Sequence, residues 1–224
     1  MKTASSILPQ GLATQINTAM HELEKQSGLK FGGIHMGDMH GIITSTNQTE
    51  HFFPLLLSIR SGAPVSMKGI SETVLNLGLT QDLVDLMAKF TQNAHWAYTL
   101  YKQFLQLFGT VVLGIDNEKY VRVLEKAKIK RNVVDELTLT TADLQHVIAE
   151  FKAIAQVPDD PWEQLSMTIA AMFSSWDSPT ARAFRAVHNI AEDLGTAIIV
   201  QVNTPCTLYT PYTLYIHHIH TNTI

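Results

Sequence analysis

The sequence predicts an α+β fold in which a few strands carry a large helical insertion. Residues 55–60 are nearly all apolar, and residues 196–202 are apolar and β-branched, as is typical of buried strands. Between them, from about residue 80 to residue 193, apolar residues recur at helical spacing. We therefore expect a small sheet whose strands are separated by an all-helical subdomain.

Capping residues and glycines indicate where the first helices begin and end. A helix is expected at residues 9–27, before the first strand. Thr80 is a capping residue for a helix that follows it directly, because its hydroxyl can accept a bond from a free backbone N–H. Two further helices are expected at residues 96–107, with Gly109 as the stop, and at residues 117–130.

The last three helices have clearer signals. Asp160-Pro161 and Ser178-Pro179 each place a capping residue before a proline, which suits the first helical position. The later of these helices is expected to contain Phe184, Val187 and Ile190 and to end at Leu194-Gly195. The helix that precedes both carries a continuous apolar stripe, formed by Leu144, Val147, Ile148, Phe151 and Ile154.

The composition fits a globular domain and excludes several classes of protein. The chain has 224 residues, of which 46% are hydrophobic and 16% are charged, enough for a sizeable core. A net charge of −4 gives no basic surface for nucleic acid. No apolar run reaches the roughly 18 residues of a membrane helix, and no signal-peptide core is seen. The single cysteine, Cys206, agrees with a reducing compartment, so we expect a cytoplasmic protein.

Two segments differ from the rest of the chain. Residues 33–53 hold glycine, threonine and asparagine and are interpreted as a surface loop or an unspliced insertion. Residues 204–224 are almost all Thr, Tyr, His, Ile, Leu and Pro, so we expect this low-complexity tail to lie outside the fold. Our hypothesis is that the tail is translated simple-sequence DNA. Residues 1–203 would then be the folded domain, with the helical subdomain at about 80–193.

Arg60 is the strongest candidate for a functional residue. It ends an apolar strand and is followed by a loop rich in small residues, including Gly62 and Gly69. A guanidinium offers a planar fork of donors that suits phosphate groups, and glycine lets backbone N–H groups approach phosphate oxygens. By pattern alone, a structural arginine paired with a surface acid is the alternative.

The wording of this region resembles a known family. Residues 58–63 and 66–79 follow the phrases V-S-V-R-S-G-A and S-M-P-G-M-M-D-T-V-L-N-L-G-L of the pyruvate, phosphate dikinase family, in its N-terminal ATP-grasp-type nucleotide-binding domain. The phrase D-P-W-E-Q-L at residues 160–165 is identical to that of the family. The resemblance covers residues 8–201, apart from 33–53. It favours the dikinase over the related phosphoenolpyruvate synthase and glucan dikinase types.

The resemblance implies a set of ATP-binding residues. Arg60 would contact the ATP phosphates and act in catalysis. Departures from the family are Lys68 for its proline and Glu72 for its aspartate. The strand near the adenine would use backbone groups, with an ordinary core strand as the equal alternative for Gln201. The remaining implied ATP-binding residues are Ser61, Gly62, Met67, Gly69, Thr73, Val200, Gln201 and Val202.

The resemblance also implies the chemistry of the intact enzyme. Such enzymes are magnesium-dependent transferases that interconvert ATP, phosphate and pyruvate with AMP, pyrophosphate and phosphoenolpyruvate through a phosphohistidine on another domain. That domain, the pyruvate domain and the magnesium ligands are not found in this sequence, so pyruvate and phosphoenolpyruvate would be partners only through missing domains. We expect the isolated chain to be inactive. A non-catalytic fragment or helical interaction module remains an alternative, and a homodimer of the intact enzyme is left open.

Overall fold

The computed structural model of the chain describes residues 11–33, 54–62, 65, 72–203 and 213–216. Helices and strands are both present, which confirms the predicted α+β class. The helices are α1 (Leu12–Ser27), α2 (Gln81–Thr91), α3 (Ala94–Leu107), α4 (Asn117–Arg131), α5 (Thr141–Ile154), α6 (Pro161–Ser175) and α7 (Pro179–Val187). The strands are β1 (Leu57–Gly62), β2 (Thr73–Leu77), β3 (Ala197–Val202) and β4 (Thr213–Ile216).

The four strands form one sheet in the order β2-β1-β3-β4, and every neighbouring pair is antiparallel. The two predicted strands, β1 and β3, are therefore adjacent. The sequence analysis missed β2 because it treated the residues after Arg60 as a loop. The sequence of β2, Thr-Val-Leu-Asn-Leu, is mostly apolar or β-branched, which favours a half-buried strand.

One face of the sheet is the main apolar face. Leu57 and Ile59 of β1, Val74 of β2, and Ile198 and Val200 of β3 are all at most 3% exposed. Successive strand residues point to opposite faces, so these side chains share one side. Helix α6 contacts β1, β2 and β3, and α3 contacts β2, so the helical subdomain packs directly on the sheet.

The predicted helix starts are confirmed by their side-chain caps. The side-chain oxygens of Thr80, Asp160 and Ser178 accept hydrogen bonds from backbone N–H groups in the first turns of α2, α6 and α7. Each cap satisfies a donor that has no partner within its helix. These starts are local features of the sequence, which is why the sequence alone located them.

The predicted end of α7 at Leu194-Gly195 is wrong, because the helix ends at Val187 and a separate short turn, Glu192–Leu194, follows. Val187 is 76% exposed, whereas Arg185 in the same helix is fully buried. The guanidinium of Arg185 lies 4.2 Å from the centre of the Trp176 ring, and its Nη2 donates to Glu192 Oε2 at 2.6 Å. A charged side chain can be buried when its charge is paired in this way.

Gly109 does not end its helix, contrary to the sequence prediction. Helix α3 runs on into a π-helical turn, Phe108–Val112, that contains Gly109. A Cβ atom at Gly109 would overlap the hydroxyl of Tyr120, so the glycine is required by the close approach of α4.

The two unusual segments lie largely outside the described residues. Of the tail 204–224, the structure describes residues 213–216, and these pair with β3 as β4, which departs from the expectation that the tail lies outside the fold. Their Thr-Leu-Tyr-Ile composition has high strand propensity. The domain boundary after residue 203 stays a prediction, as does the loop at 33–53. No helix within the described ranges is long and apolar enough to cross a membrane.

Gln164 joins the start of α6 to the turn after β2. Its side chain is fully buried, and its Oε1 accepts a hydrogen bond from the N–H of Gly78 at 3.0 Å. Its Nε2 donates to the carbonyl oxygens of Leu79 at 3.1 Å and Pro158 at 2.8 Å. One side chain therefore links the two sequence phrases L-N-L-G-L and D-P-W-E-Q-L.

Replacing Gln164 with leucine should destabilise the fold. Leucine is an apolar residue of similar size to glutamine, but it leaves a buried N–H and two carbonyls without their partner, which we expect to cost about 3 kcal/mol. Urea denaturation measures the change. The matched control is Gln103→Leu at an exposed position of α3, which should change the free energy of unfolding by less than about 0.5 kcal/mol. Equal losses in the two variants would contradict this role.

A cluster of polar contacts around Asp143 connects α4 to α5. Nε of Arg131 donates to both carboxylate oxygens of Asp143, at 2.8 and 2.7 Å. The hydroxyl of Thr140, the capping residue of α5, donates to Asp143 Oδ2 at 2.6 Å. The Thr140 hydroxyl, and then Arg131, lower the pKa of Asp143 from 3.8 to about 2.

The contacts of the Asp143 carboxylate should make the free energy of unfolding fall at acidic pH. Because the folded pKa lies below the ordinary value, the contribution is complete above about pH 4 and is lost as the pH falls towards 2. Urea midpoints of the wild type and of Asp143→Asn, measured between pH 6 and pH 2.5, should therefore converge as the pH falls. A gap between the two proteins that stays constant over this range would show that Asp143 does not carry this dependence.

Candidate functional site

Arg60 lies in an internal strand, and its side chain is exposed. Its backbone is paired on both sides, opposite Thr73 of β2 and Ile199 of β3. Within the part of the chain that the structure describes, no acidic side chain forms a salt bridge with Arg60. A fixed backbone therefore presents a guanidinium without a carboxylate partner among the described residues.

Several predicted site residues share the face of Arg60. Residues directly opposite in an antiparallel pair have side chains on the same face, so Thr73 and Ile199 lie beside Arg60. Gln201, opposite Ser58, lies on this face too. This face combines a cation, a hydroxyl and an amide, in contrast to the apolar face behind it.

The shared face is covered at one end and open at the other. Leu56 is fully buried and Ser58 is 5% exposed, whereas Arg60, two residues further along, is exposed. Gly62 continues this side of the strand, and a Cβ there would lie 3.1 Å from Cδ1 of Ile199. Arg60 is therefore at the point where the sheet surface becomes accessible.

Two predicted site residues point the other way. Val200 is 1% exposed and opposite Ile59, and Val202 is opposite Leu57, so both side chains lie on the apolar face. Residues 198–201 of β3 pair with β1 along one edge and with β4 along the other. A contact of Val200 or Val202 with adenine through the backbone stays a prediction.

The loop after β1 is only partly described. The backbone N–H of Ser61 donates to the carbonyl of Glu72 at 3.3 Å, which closes the two ends of this loop. Burial raises the pKa of the Glu72 carboxyl. Met67 and Gly69, both predicted to lie near a nucleotide, fall outside the described residues.

The sequence analysis missed one contact next to this site. Nδ2 of Asn203 donates to Oδ1 of Asn76 at 2.6 Å, which joins the end of β3 to β2. Asn76 is 3% exposed and has a φ of 59°, in the left-handed region. An asparagine within a strand-like run was a signal, because this residue adopts that conformation more readily than most.

Magnesium, which the resemblance implies, does not fit the described residues. No group of three or more His, Cys, Asp or Glu side chains in the described ranges is placed to hold a metal ion. The face that Arg60 and Thr73 share carries hydrogen-bond donors, namely the guanidinium of Arg60 and the hydroxyl of Thr73, rather than carboxylates. This chemistry suits the anionic oxygens of a ligand and not a cation.

Comparison with known proteins finds similar sequences among curated proteins. No family model matches the chain. The chain is 37% identical over 206 residues to pyruvate, phosphate dikinase of Giardia intestinalis, covering 89% of this chain and 21% of that protein. It is 38% identical over 200 residues to pyruvate, phosphate dikinase of Rhizobium meliloti strain 1021, covering 87% of the chain and 20% of that protein. It thus spans about one fifth of the length of these relatives.

Proposed function

We propose that this chain, which belongs to the pyruvate, phosphate dikinase family as a segment about one fifth as long as its relatives, supplies one wall of an ATP site. The observation that carries the proposal is the exposed guanidinium of Arg60 on a strand whose neighbours fix it on both sides. The relatives are named as dikinases, and such enzymes bind nucleotide polyphosphate. A permanent cation at a fixed position is what that ligand requires.

The role of Arg60 follows from charge and geometry. Its guanidinium donates to oxygens of the triphosphate and offsets the negative charge that develops on them as the bond between the α- and β-phosphates breaks and AMP leaves. Because β1 is paired along both edges, little reorganisation is needed when the ligand arrives. The hydroxyl of Thr73 adds a neutral donor on the same face, and the amide of Gln201 lies further along it.

The wider reaction belongs to the same proposal. In the intact protein, ATP bound here would phosphorylate a histidine on another domain, and the phosphoryl group would pass to pyruvate. ATP is the partner that this segment contacts, while pyruvate and phosphoenolpyruvate meet other parts of the protein. The described residues offer phosphate donors but no metal ligands, so we confine their role to binding and orienting the nucleotide. We expect the isolated chain to lack dikinase activity.

A helical interaction module without catalysis is the second candidate. Ile129, at the end of α4, is 77% exposed, and Val134 and Leu137 in the following connection are 92% and 66% exposed. Exposed apolar side chains so close together in the chain are typical of contact surfaces. This candidate predicts no dependence of any ligand effect on Arg60.

ATP binding and its dependence on Arg60 test the proposal. We expect ATP to raise the melting temperature of the chain, because a ligand that binds only the folded state stabilises it. Arg60→Ala should weaken ATP affinity about tenfold to a hundredfold, as expected for loss of a charged hydrogen bond. Isothermal titration calorimetry measures both proteins.

A control separates the site from general charge. Arg122 is exposed on α4, and Arg122→Ala removes the same charge away from the sheet. This variant should bind ATP as tightly as the wild type. The proposal fails if the wild type shows no ATP binding, or if Arg60→Ala and Arg122→Ala have the same affinity.

A further inference from the structure

Strand β2 contains one extra residue opposite β1. Leu57 of β1 is paired with Leu77, and Ile59, two residues on, is paired with Val74, three residues back. The next pair is Arg60 with Thr73. Such an insertion is a β-bulge, which lets two residues of one strand occupy the place of one.

The bulge decides which β2 side chain lies beside Arg60. If the pairing of Leu57 with Leu77 continued without it, Arg60 would be opposite Val74, and valine would face the open side. A shift of one residue moves every side chain to the other face. With the bulge, Val74 is fully buried opposite Ile59, and the hydroxyl-bearing Thr73 is opposite Arg60.

Asn76 and Asn203 lie where the bulge forms. Asn76 takes the left-handed φ of 59° between the two registers, and its Oδ1 accepts the 2.6 Å hydrogen bond from Nδ2 of Asn203. The backbone N–H of Asn203 donates to the carbonyl of Leu56 at 2.7 Å. Asn203 therefore reaches from the end of β3, past the start of β1, to the bulge in β2.

We propose that Asn203 is a positioning residue: its hydrogen bond to Asn76 holds the β2 register that places the Thr73 hydroxyl beside Arg60, where it binds a phosphate oxygen of the nucleotide. The ligand part of this inference rests on the proposed function, whereas the register part does not. Thr73 is half-buried and β-branched, so its side chain has few rotamers and the hydroxyl has few possible positions.

The expected chemistry is specific to an anionic oxygen. The Thr73 hydroxyl donates a hydrogen bond without adding charge, so it does not repel the neighbouring guanidinium. A valine at the same place offers no donor and leaves the phosphate oxygen without that contact. We expect the loss to weaken ATP binding about tenfold, the usual effect of one hydrogen bond to a charged group.

A double-mutant cycle tests the ligand part. Asn203→Ala and Thr73→Val should each weaken ATP binding about tenfold, and the double variant should be no weaker than the single ones, because both changes remove the same contact. Thr180→Val, at an exposed position of α7, is the control for loss of a threonine hydroxyl and should bind ATP normally. Additive effects in the double variant would overturn the proposal.

A separate measurement tests the register part. Nuclear Overhauser contacts between Ile59 and Val74 should be present in the wild type and should weaken in Asn203→Ala, with new contacts between Arg60 and Val74. Unchanged contacts would show that burial of Val74 alone holds the register, which would overturn the proposal. If Asn203→Ala does not fold, Asn76→Gly replaces it, because glycine accepts the left-handed backbone but lacks the side-chain acceptor.

The two measurements also separate this inference from the proposed function. If the wild type does not bind ATP, the proposed function and the ligand part fall together, while the contacts between β1 and β2 still decide the register part. If ATP binds and depends on Arg60 but is indifferent to Asn203→Ala and Thr73→Val, the proposed function stands and this inference fails.

Discussion

The internal position of β1 is the constraint on which the rest of the structure depends. Every residue from Leu57 to Gly62 is opposite a residue of β3, and three of them are also opposite residues of β2. A strand with both edges paired has little freedom of direction, so its alternation of side chains is fixed. One face is then apolar and meets the helices, and the other presents Arg60. The proposed site therefore lies on one face of β1, and the opposite face of the same strand packs into the core.

The two phrases L-N-L-G-L and D-P-W-E-Q-L, on which the resemblance partly rests, also stabilise the fold. Gln164 bonds the backbone at Gly78 and Leu79, as described above, and the ring of Trp162 packs edge-on against Phe31 with centres 5.6 Å apart. A Cβ at Gly78, whose φ is 103°, would come within 2.9 Å of the Phe31 ring. Segments far apart in the chain therefore meet at the end of β2, which is also where the bulge is set. Similarity in these phrases is therefore evidence for the fold. It bears on nucleotide binding only indirectly, because the candidate site residue Arg60 lies on β1 and not in these phrases.

The sequence predicted the features that depend on local chemistry. Caps at Thr80, Asp160 and Ser178 act within one helical turn, so the corresponding helices could be located from the sequence. Strand β2 could not, because five residues with a left-handed Asn76 become a strand only through pairing with β1. The end of α7 was mispredicted for a similar reason, since the chain leaves the helix after Val187 and then places Glu192 against the buried Arg185.

The candidate site divides in the same way. The selection of Arg60 as a candidate site residue came from its place in an apolar run and from the resemblance, both visible in the sequence. That Thr73 and Gln201 share its face, and that the side chains of Val200 and Val202 do not, follows from strand register, which no local pattern specifies. The contact between Asn76 and Asn203 joins residues 127 positions apart and was beyond sequence reasoning for that reason.

The central claim is that the open face of β1 meets the phosphates of a nucleotide. The most direct measurement is a titration of the isotope-labelled chain with ATP, followed by NMR at the Arg60 side-chain Nε–H and at the backbone amides of the sheet. The account predicts that the largest shift changes occur at Arg60 and Thr73, with smaller ones at Gln201. Changes that are absent from Arg60, or that centre on the surface around Ile129 and Val134, would contradict it.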